Sequence, residues 1–332
     1  MNISRHFHVS MTPNACWLAL LCLLMTAYAP RPVMTQAGAD AAAHPLSGRI
    51  WDTRGQDWIS TTELERRLAR ARFVLLGEVH DNGEHHRLRR DVLAALVRDG
   101  RRPAIAMEQF DREHQPALER VQNEPAPTPE LLKTAGRVDA QGWNWFYYEP
   151  IVRLALDHRL PIVAANLSRA DAFRVSTEGA AAVVGEAVVS ALHLDQPLPD
   201  AARLKLDQVI EDGHCGKAPP SILPGIVAAQ RARDAIMAQT LQAHAPAVLI
   251  AGNGHVRRDF GVPHYLAQYP QGDDVRVVGF IEVDADKLAP TDYASDGVSD
   301  GVSDSAPEYD YVVFTPRIPR PDPCGDVRFT PR

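Results

Sequence analysis

The sequence predicts an α/β fold, a central and largely parallel sheet flanked by helices, with a helical insertion carried on it. Short apolar runs of strand length recur at 73–77, 104–108, 161–165 and 247–252, each closing on a glycine or a polar side chain. Helical patterns separate them: Leu88, Val92, Leu93, Leu96 and Val97 recur at helical spacing between the first two. A strand, a helix and a strand within some thirty-five residues form a βαβ unit, whose strands are parallel and whose carboxyl ends share one edge.

The chain opens with a polar start carrying Arg5 and an apolar run from Ala15 to Ala29, the length of a signal peptide and short for a membrane span. Residues 1–39 are therefore expected to be a leader and linker, cleaved after Ala29 or Ala39, and the mature protein to be exported to the periplasm or cell envelope. Lipid attachment at Cys22 is disfavoured, because Leu21 stands where a small residue is needed. Residues 40–332 then form one α/β domain. The full chain's formal net charge of −7 and the lack of a basic run speak against a nucleic-acid partner.

The first strand runs directly into Glu78, His80, Asp81, Glu84, His85 and His86. Open α/β sheets place their chemistry where a buried strand ends, so this is the expected site. Glu78 and His80, two apart, share a face if the extended backbone continues. His85 and His86 fall in the first turn of the next helix, whose amino terminus suits an anion; the bland alternative is a pair of solvated imidazoles. Glu78→Ala is expected to leave the fold intact, since an acid kept for chemistry is seldom needed for stability.

The second strand ends at Glu108, expected close to Glu78, or else capping the helix that begins near Asp111. Residues 121–150 read as a connection that closes in Trp143, Trp145, Phe146, Tyr147 and Tyr148, aromatics that cover the core edge or line a pocket for a flat ligand. A helix at 151–159 leads to the third strand and Asn166. Residues 171–240 read as the helical insertion, in which Gln230, Arg231, Arg233 and Asp234 open an amphipathic helix. The fourth strand runs into Gly252, Asn253, Gly254 and His255, which with Arg257 is expected to join the edge carrying Glu78 and His80. Further strands are expected at 275–283 and 309–315, with a mobile acidic loop at 292–307 between them. With the leader removed, Cys215 and Cys324 remain as a pair in an oxidising compartment, and a disulfide between them is expected.

Taken together, the segments L-L-G-E-V-H-D-N-G-E-H-H, A-M-E-Q-F-D-R, V-A-A-N-L-S-R, A-Q-R-A-R-D-A-I-M-A and G-N-G-H-V-R-R-D-F-G-V-P resemble the ChaN-like haem-binding uptake family of the Tiki superfamily. The resemblance implies an exported α/β protein in which haem is bound by a homodimer with the haems stacked face to face. Relatives in the superfamily include metal-dependent proteases and esterases. Carried onto this chain, it implies a shared pocket of Glu78, His80, Glu108 and His255. The iron ligand is not given by a motif, and Tyr147, Tyr148, His264 and Tyr265 are candidates by their chemistry. The alternative function is a hydrolase in which Glu78, His80 and His255 hold a divalent metal or act as base and orienting partner on a water.

Overall fold

The computed structural model describes residues 44–293, 307–321 and 324. The leader at 1–39 and residues 294–306 of the acidic loop lie outside them.

In chain order the strands are β1 (Ile50–Asp52), β2 (Asp57–Ile59), β3 (Phe73–Leu76), β4 (Ala104–Asp111), β5 (Ile162–Asn166), β6 (Ala247–Ile250), β7 (Val275–Glu282) and β8 (Tyr311–Thr315). They form one sheet ordered β2-β1-β8-β7-β3-β6-β4-β5. All pairings from β8 to β5 are parallel, and the β1–β2 hairpin adds an antiparallel edge. The four strands expected to be parallel neighbours are adjacent. The chain lays β4 and β5 outward, then returns to insert β6 between β3 and β4, pairing Leu76 with Ile250 and Ile250 with Met107. That register sets the ends of β3 and β6 level with Met107 of β4, which runs on to Asp111 along β5, with β6 separating the two acids expected side by side.

Strand residues alternate between the two faces of the sheet. Val74, Leu76, Ile105, Met107, Val248 and Ile250 pack on one side, with residues of α2 (Gly83–Arg98) and α6 (Trp145–Asp157). Phe73, Leu75, Ala104, Ala106 and Leu249 pack on the other, with α11 (Leu223–Ala243) and α13 (Val262–Leu266). Strands buried on both faces read as unbroken apolar runs, which is why these were plain in the sequence. Between β5 and β6 the chain is helical: α7 (Arg169–Glu178), α8 (Ala181–Val184), α9 (Glu186–Ala191), α10 (Asp200–Gly213) and α11.

The aromatic run is not a connection. Its rings from Trp145 to Tyr148 form the first turn of α6, which begins at Trp145, six residues before the expected start, and carries Pro150 inside it; Trp143 precedes the helix. Proline read as a boundary misplaces the helix; Pro150 is its sixth residue, past the first turn, and lacks the N–H that would donate to the Phe146 carbonyl, yet the helix continues through it.

Cys215 and Cys324 form the expected disulfide, their Cα atoms 5.5 Å apart across a sequence separation of 109. Cys324→Ser should lower the unfolding free energy, with the chain-entropy value of about 4–5 kcal/mol as an upper bound. Urea denaturation without reductant measures it; an unchanged midpoint would mean that the bond constrains nothing the unfolded chain would otherwise explore.

Candidate functional site

The site is built where β3, β6 and β4 end. At Gly77 a Cβ would lie 2.1 Å from Asn253 Oδ1. The glycine is needed because the Asn253 side chain passes there to reach β7, accepting from the Phe280 N–H (3.2 Å) and donating to the Phe280 carbonyl (2.7 Å). This cross-link fastens the turn after β6 to β7, and the Asn253 N–H, donating to the Glu78 carbonyl (2.9 Å), ties the same turn to the one after β3.

The Glu78 side chain is fully buried and fully engaged. Its Oε1 accepts from the Tyr148 hydroxyl (2.8 Å) and faces His80 Nδ1 (2.7 Å), while Oε2 pairs with Arg89. Arg89 is itself wholly buried, and burial lowers its pKa to about 10. With Glu78 accepting from Nδ1, the opposite nitrogen of His80 turns toward the neighbouring strand ends: a Cβ at Gly252 would lie 3.0 Å from Nε2 and 3.8 Å from Glu108 Oε2. Nearly half of the His80 side chain, 47%, remains exposed, and Trp143 lies edge-on to it at 5.0 Å.

Glu108 is buried between two partners. The Gly252 N–H donates to its Oε2 (2.8 Å), and His255 Nε2 stands 3.4 Å from Oε1. Across the ring, His255 Nδ1 meets Asp234 Oδ1 at 2.5 Å, with the Gln230 amide 3.0 Å away. Burial opposes ionisation of Glu108, yet the adjacent His255 and His80 and the Gly252 N–H hold it well below the usual carboxylate range. Burial would likewise lower His255, but Glu108 and Asp234 reverse that and push it up to about 10. Asp234 is raised to about 6 by its own burial, in spite of His255. The result is a charged chain, Glu108, His255, Asp234, beside the Arg89, Glu78, His80 chain, with His80 as the exposed end.

Several expected members stand elsewhere. His85 and His86 are neither solvated nor ligands. The Val79 N–H donates to His85 Nδ1 (2.9 Å), so Nε2–H donates to Thr315 Oγ1 (2.7 Å). His86 Nε2–H donates to the His80 carbonyl (2.9 Å), and its Nδ1 faces Arg89 (2.8 Å). Burial lowers both to about 4, so they are neutral struts. The amino terminus of α2 is not open to an anion either, because the Asn82 side chain already accepts from the Glu84 and His85 N–H groups. Arg257 pairs with Asp259 and Glu308 instead of joining the edge. Glu78, His80 and His255 do not converge as one ligand set: Glu78 is saturated and both ring nitrogens of His255 are taken.

The haem candidates divide. Tyr148 is buried on Glu78, and Tyr147 is half-buried, stacked on His86 with centroids 4.5 Å apart. Tyr265 is buried on the opposite face of the sheet, accepting from Arg231 Nε (3.0 Å), with His264 edge-on beside it. One iron cannot take a ligand from both pairs.

Sequence reasoning missed Arg89 and the role of Asp234. His86 and Arg89 are three apart on α2 and share a face, and Gln230 and Asp234 are four apart on α11; those spacings were the available signal.

The model of a family described as haem-binding uptake, Tiki superfamily, ChaN, matches residues 64–266. In fold the chain is similar to ChaN of Campylobacter jejuni, solved with cofacially bound haem: TM-score 0.59, 23% identity, 80% of this chain and 95% of that one covered. Weaker similarities join it to a mutant of the erythromycin esterase EreC (TM-score 0.38, 15% identity, 67% and 72% covered) and to the type III effector HopBA1 (TM-score 0.38, 12%, 76% and 91%). No curated protein matches the sequence.

Proposed function

The chain belongs to the haem-binding uptake family of the Tiki superfamily that includes ChaN, and on that footing we propose that it is an exported haem-binding protein of haem or iron uptake. Two copies would hold the porphyrin between them. The observation that carries this reading is a set of aromatic rings around the site: Phe146 is 76% exposed, with half-buried Tyr147 next to it and stacked on His86, and half-buried Trp143 lies edge-on to His80. Monomeric proteins have little reason to turn a phenylalanine outward at a helix start beside other rings, whereas a flat apolar ligand or a partner covers it.

These residues fit haem. A phenolate is an iron ligand, and among the four candidates Tyr147 alone combines partial exposure with a place on this surface. Tyr148 and Tyr265 are buried and hydrogen-bonded, and His264 lies with Tyr265 beyond the sheet. Phe146 and Trp143 would lie against the porphyrin. Export rests on the leader pattern at 1–39.

Hemin titration tests the reading. Wild type should give a Soret shift that saturates at a fixed ratio, with sedimentation reporting a dimer. Tyr147→Phe should alter the spectrum and weaken binding by roughly tenfold or more, about 1.4 kcal/mol. A linear, unsaturating titration would sink haem binding; an unchanged spectrum in the variant would sink Tyr147 as the ligand.

One observation favours a second reading, a protease or esterase. His80 is oriented by a buried carboxylate and keeps an exposed edge, as a general base does. Hydrolysis of ester or peptide probes, lost in His80→Asn, would support it.

A further inference from the structure

A second group of ionisable side chains lies just past the end of β4, outside both charged chains. Asp111 ends the strand, and Arg112–His114 form a single 3-10 turn. Ligand atoms of Asp111, Glu113 and His114 all lie within 4.8 Å of one another. They line a cavity of about 300 Å³ whose wall also includes Trp143, the ring that borders His80.

The structural roles open to these residues are unfilled. Asp111 is in the position of a helix cap yet makes no capping hydrogen bond. It is only 7% exposed, its backbone is paired with Asn166 in the sheet, and among the described residues its carboxylate has no hydrogen-bond or ion-pair partner, His114 and Arg233 acting on it at longer range. Its neighbours are committed elsewhere: Arg112 holds Asp171 and the Val183 carbonyl, and Arg233 reaches Asn166 Oδ1 at 3.3 Å. His114 has a buried Nδ1 with no hydrogen-bond partner. A buried, unpaired carboxylate beside an unpartnered imidazole nitrogen is costly, and native proteins retain such groups where a ligand satisfies them.

We propose that Asp111, Glu113 and His114 bind a divalent transition-metal ion, zinc being the best fit to two carboxylates and one imidazole, with a fourth position open to the cavity. The required adjustment is small. Donors sharing a tetrahedral zinc stand roughly 3.4 Å apart, given metal–ligand distances of about 2.0–2.2 Å. Asp111 and His114 are largely buried, and Glu113, with 54% of its side chain exposed, can swing inward toward the unpartnered His114 Nδ1. Trp143 lines the same cavity, and no other group of potential metal ligands is found among the described residues.

The test is calorimetric titration of the metal-free full chain with zinc chloride, repeated with Asp111→Asn, His114→Gln and His80→Asn. Wild type and His80→Asn should each bind one ion per chain. Asp111→Asn and His114→Gln should bind at least about tenfold more weakly. Asp111→Asn replaces an unpaired buried charge by its neutral isostere, so its metal-free melting temperature should hold or rise, which separates lost binding from lost fold. Cobalt substitution, read as the visible absorption of a tetrahedral ion, should follow the same pattern. No binding at millimolar zinc, binding indifferent to Asp111 and His114, or binding abolished only in His80→Asn would each overturn the assignment.

Discussion

Arg89→Met should cost about 3–5 kcal/mol of unfolding free energy, because it strips the counter-charge from a carboxylate that has no water to turn to. The side chains of Arg89 and Glu78 are both fully buried and paired. Removing the guanidinium leaves Glu78 with the Tyr148 hydroxyl, the His80 ring and the neutral His86 ring 3.2 Å from Oε2, and removes the donor facing His86 Nδ1. The same reasoning reverses what the sequence suggested for Glu78→Ala, which was expected to leave the fold intact: it strands the Arg89 cation and should destabilise comparably. Breaking a buried pair from one side is worse than removing both partners, so Glu78→Gln with Arg89→Met should recover part of the loss. Urea denaturation followed by far-ultraviolet dichroism measures all three. A single variant within about 1 kcal/mol of wild type would mean that Glu78 is stabilised mainly by other groups.

This pair also marks where sequence reading stops. The strand ends were legible because doubly buried parallel strands are unbroken apolar runs and their chemistry must follow them. Thus Glu78, His80, Glu108 and His255 could be assigned to one edge before any coordinates. The order of strands was less legible. Nothing local in 247–250 says that it will enter between β3 and β4, since that depends on pairings across more than a hundred residues. Arg89 was hidden for a different reason: it stands in Arg87-Leu88-Arg89-Arg90, where three arginines look alike and only the helix's rotation decides which is buried. Arg87 pairs with Glu84 and Asp91 in solvent, while Arg89, on the face of His86, goes inside. Tyr147 and Tyr148 were likewise equivalent as text. The rotation of about 100° between consecutive residues of α6 separates their environments, sending Tyr148 to Glu78 and leaving Tyr147 half-buried.

Asp234→Asn should be nearly as damaging as loss of Arg89 and should leave a distinct pH signature. Asp234 is wholly buried, and its Oδ1 is the closest partner of His255. Since Glu108 and Asp234 raise His255 to about 10 from an ordinary 6.5, its protonated form is favoured in the folded state. That contribution is fully present below about 6.5 and is lost as pH rises through about 10. Glu108, held below its ordinary 4.5, supplies the complementary limb, present above that value and lost on acidification. Asp234 acts in the opposite sense: raised from 3.8 to about 6, its own ionisation costs stability as pH climbs through that window. Wild type should therefore lose melting temperature from neutrality toward pH 10 as His255 gives up its proton between two carboxylates. In Asp234→Asn one of those carboxylates is gone, so stability at neutral pH should fall by about 3 kcal/mol, and the alkaline decline, which starts from the same unfolded-state value, should end at a lower pH and be smaller in total. Melting curves of both proteins across that range provide the comparison. Profiles that run parallel, displaced by a constant amount, would show that Asp234 positions the His255 ring without stabilising its charge.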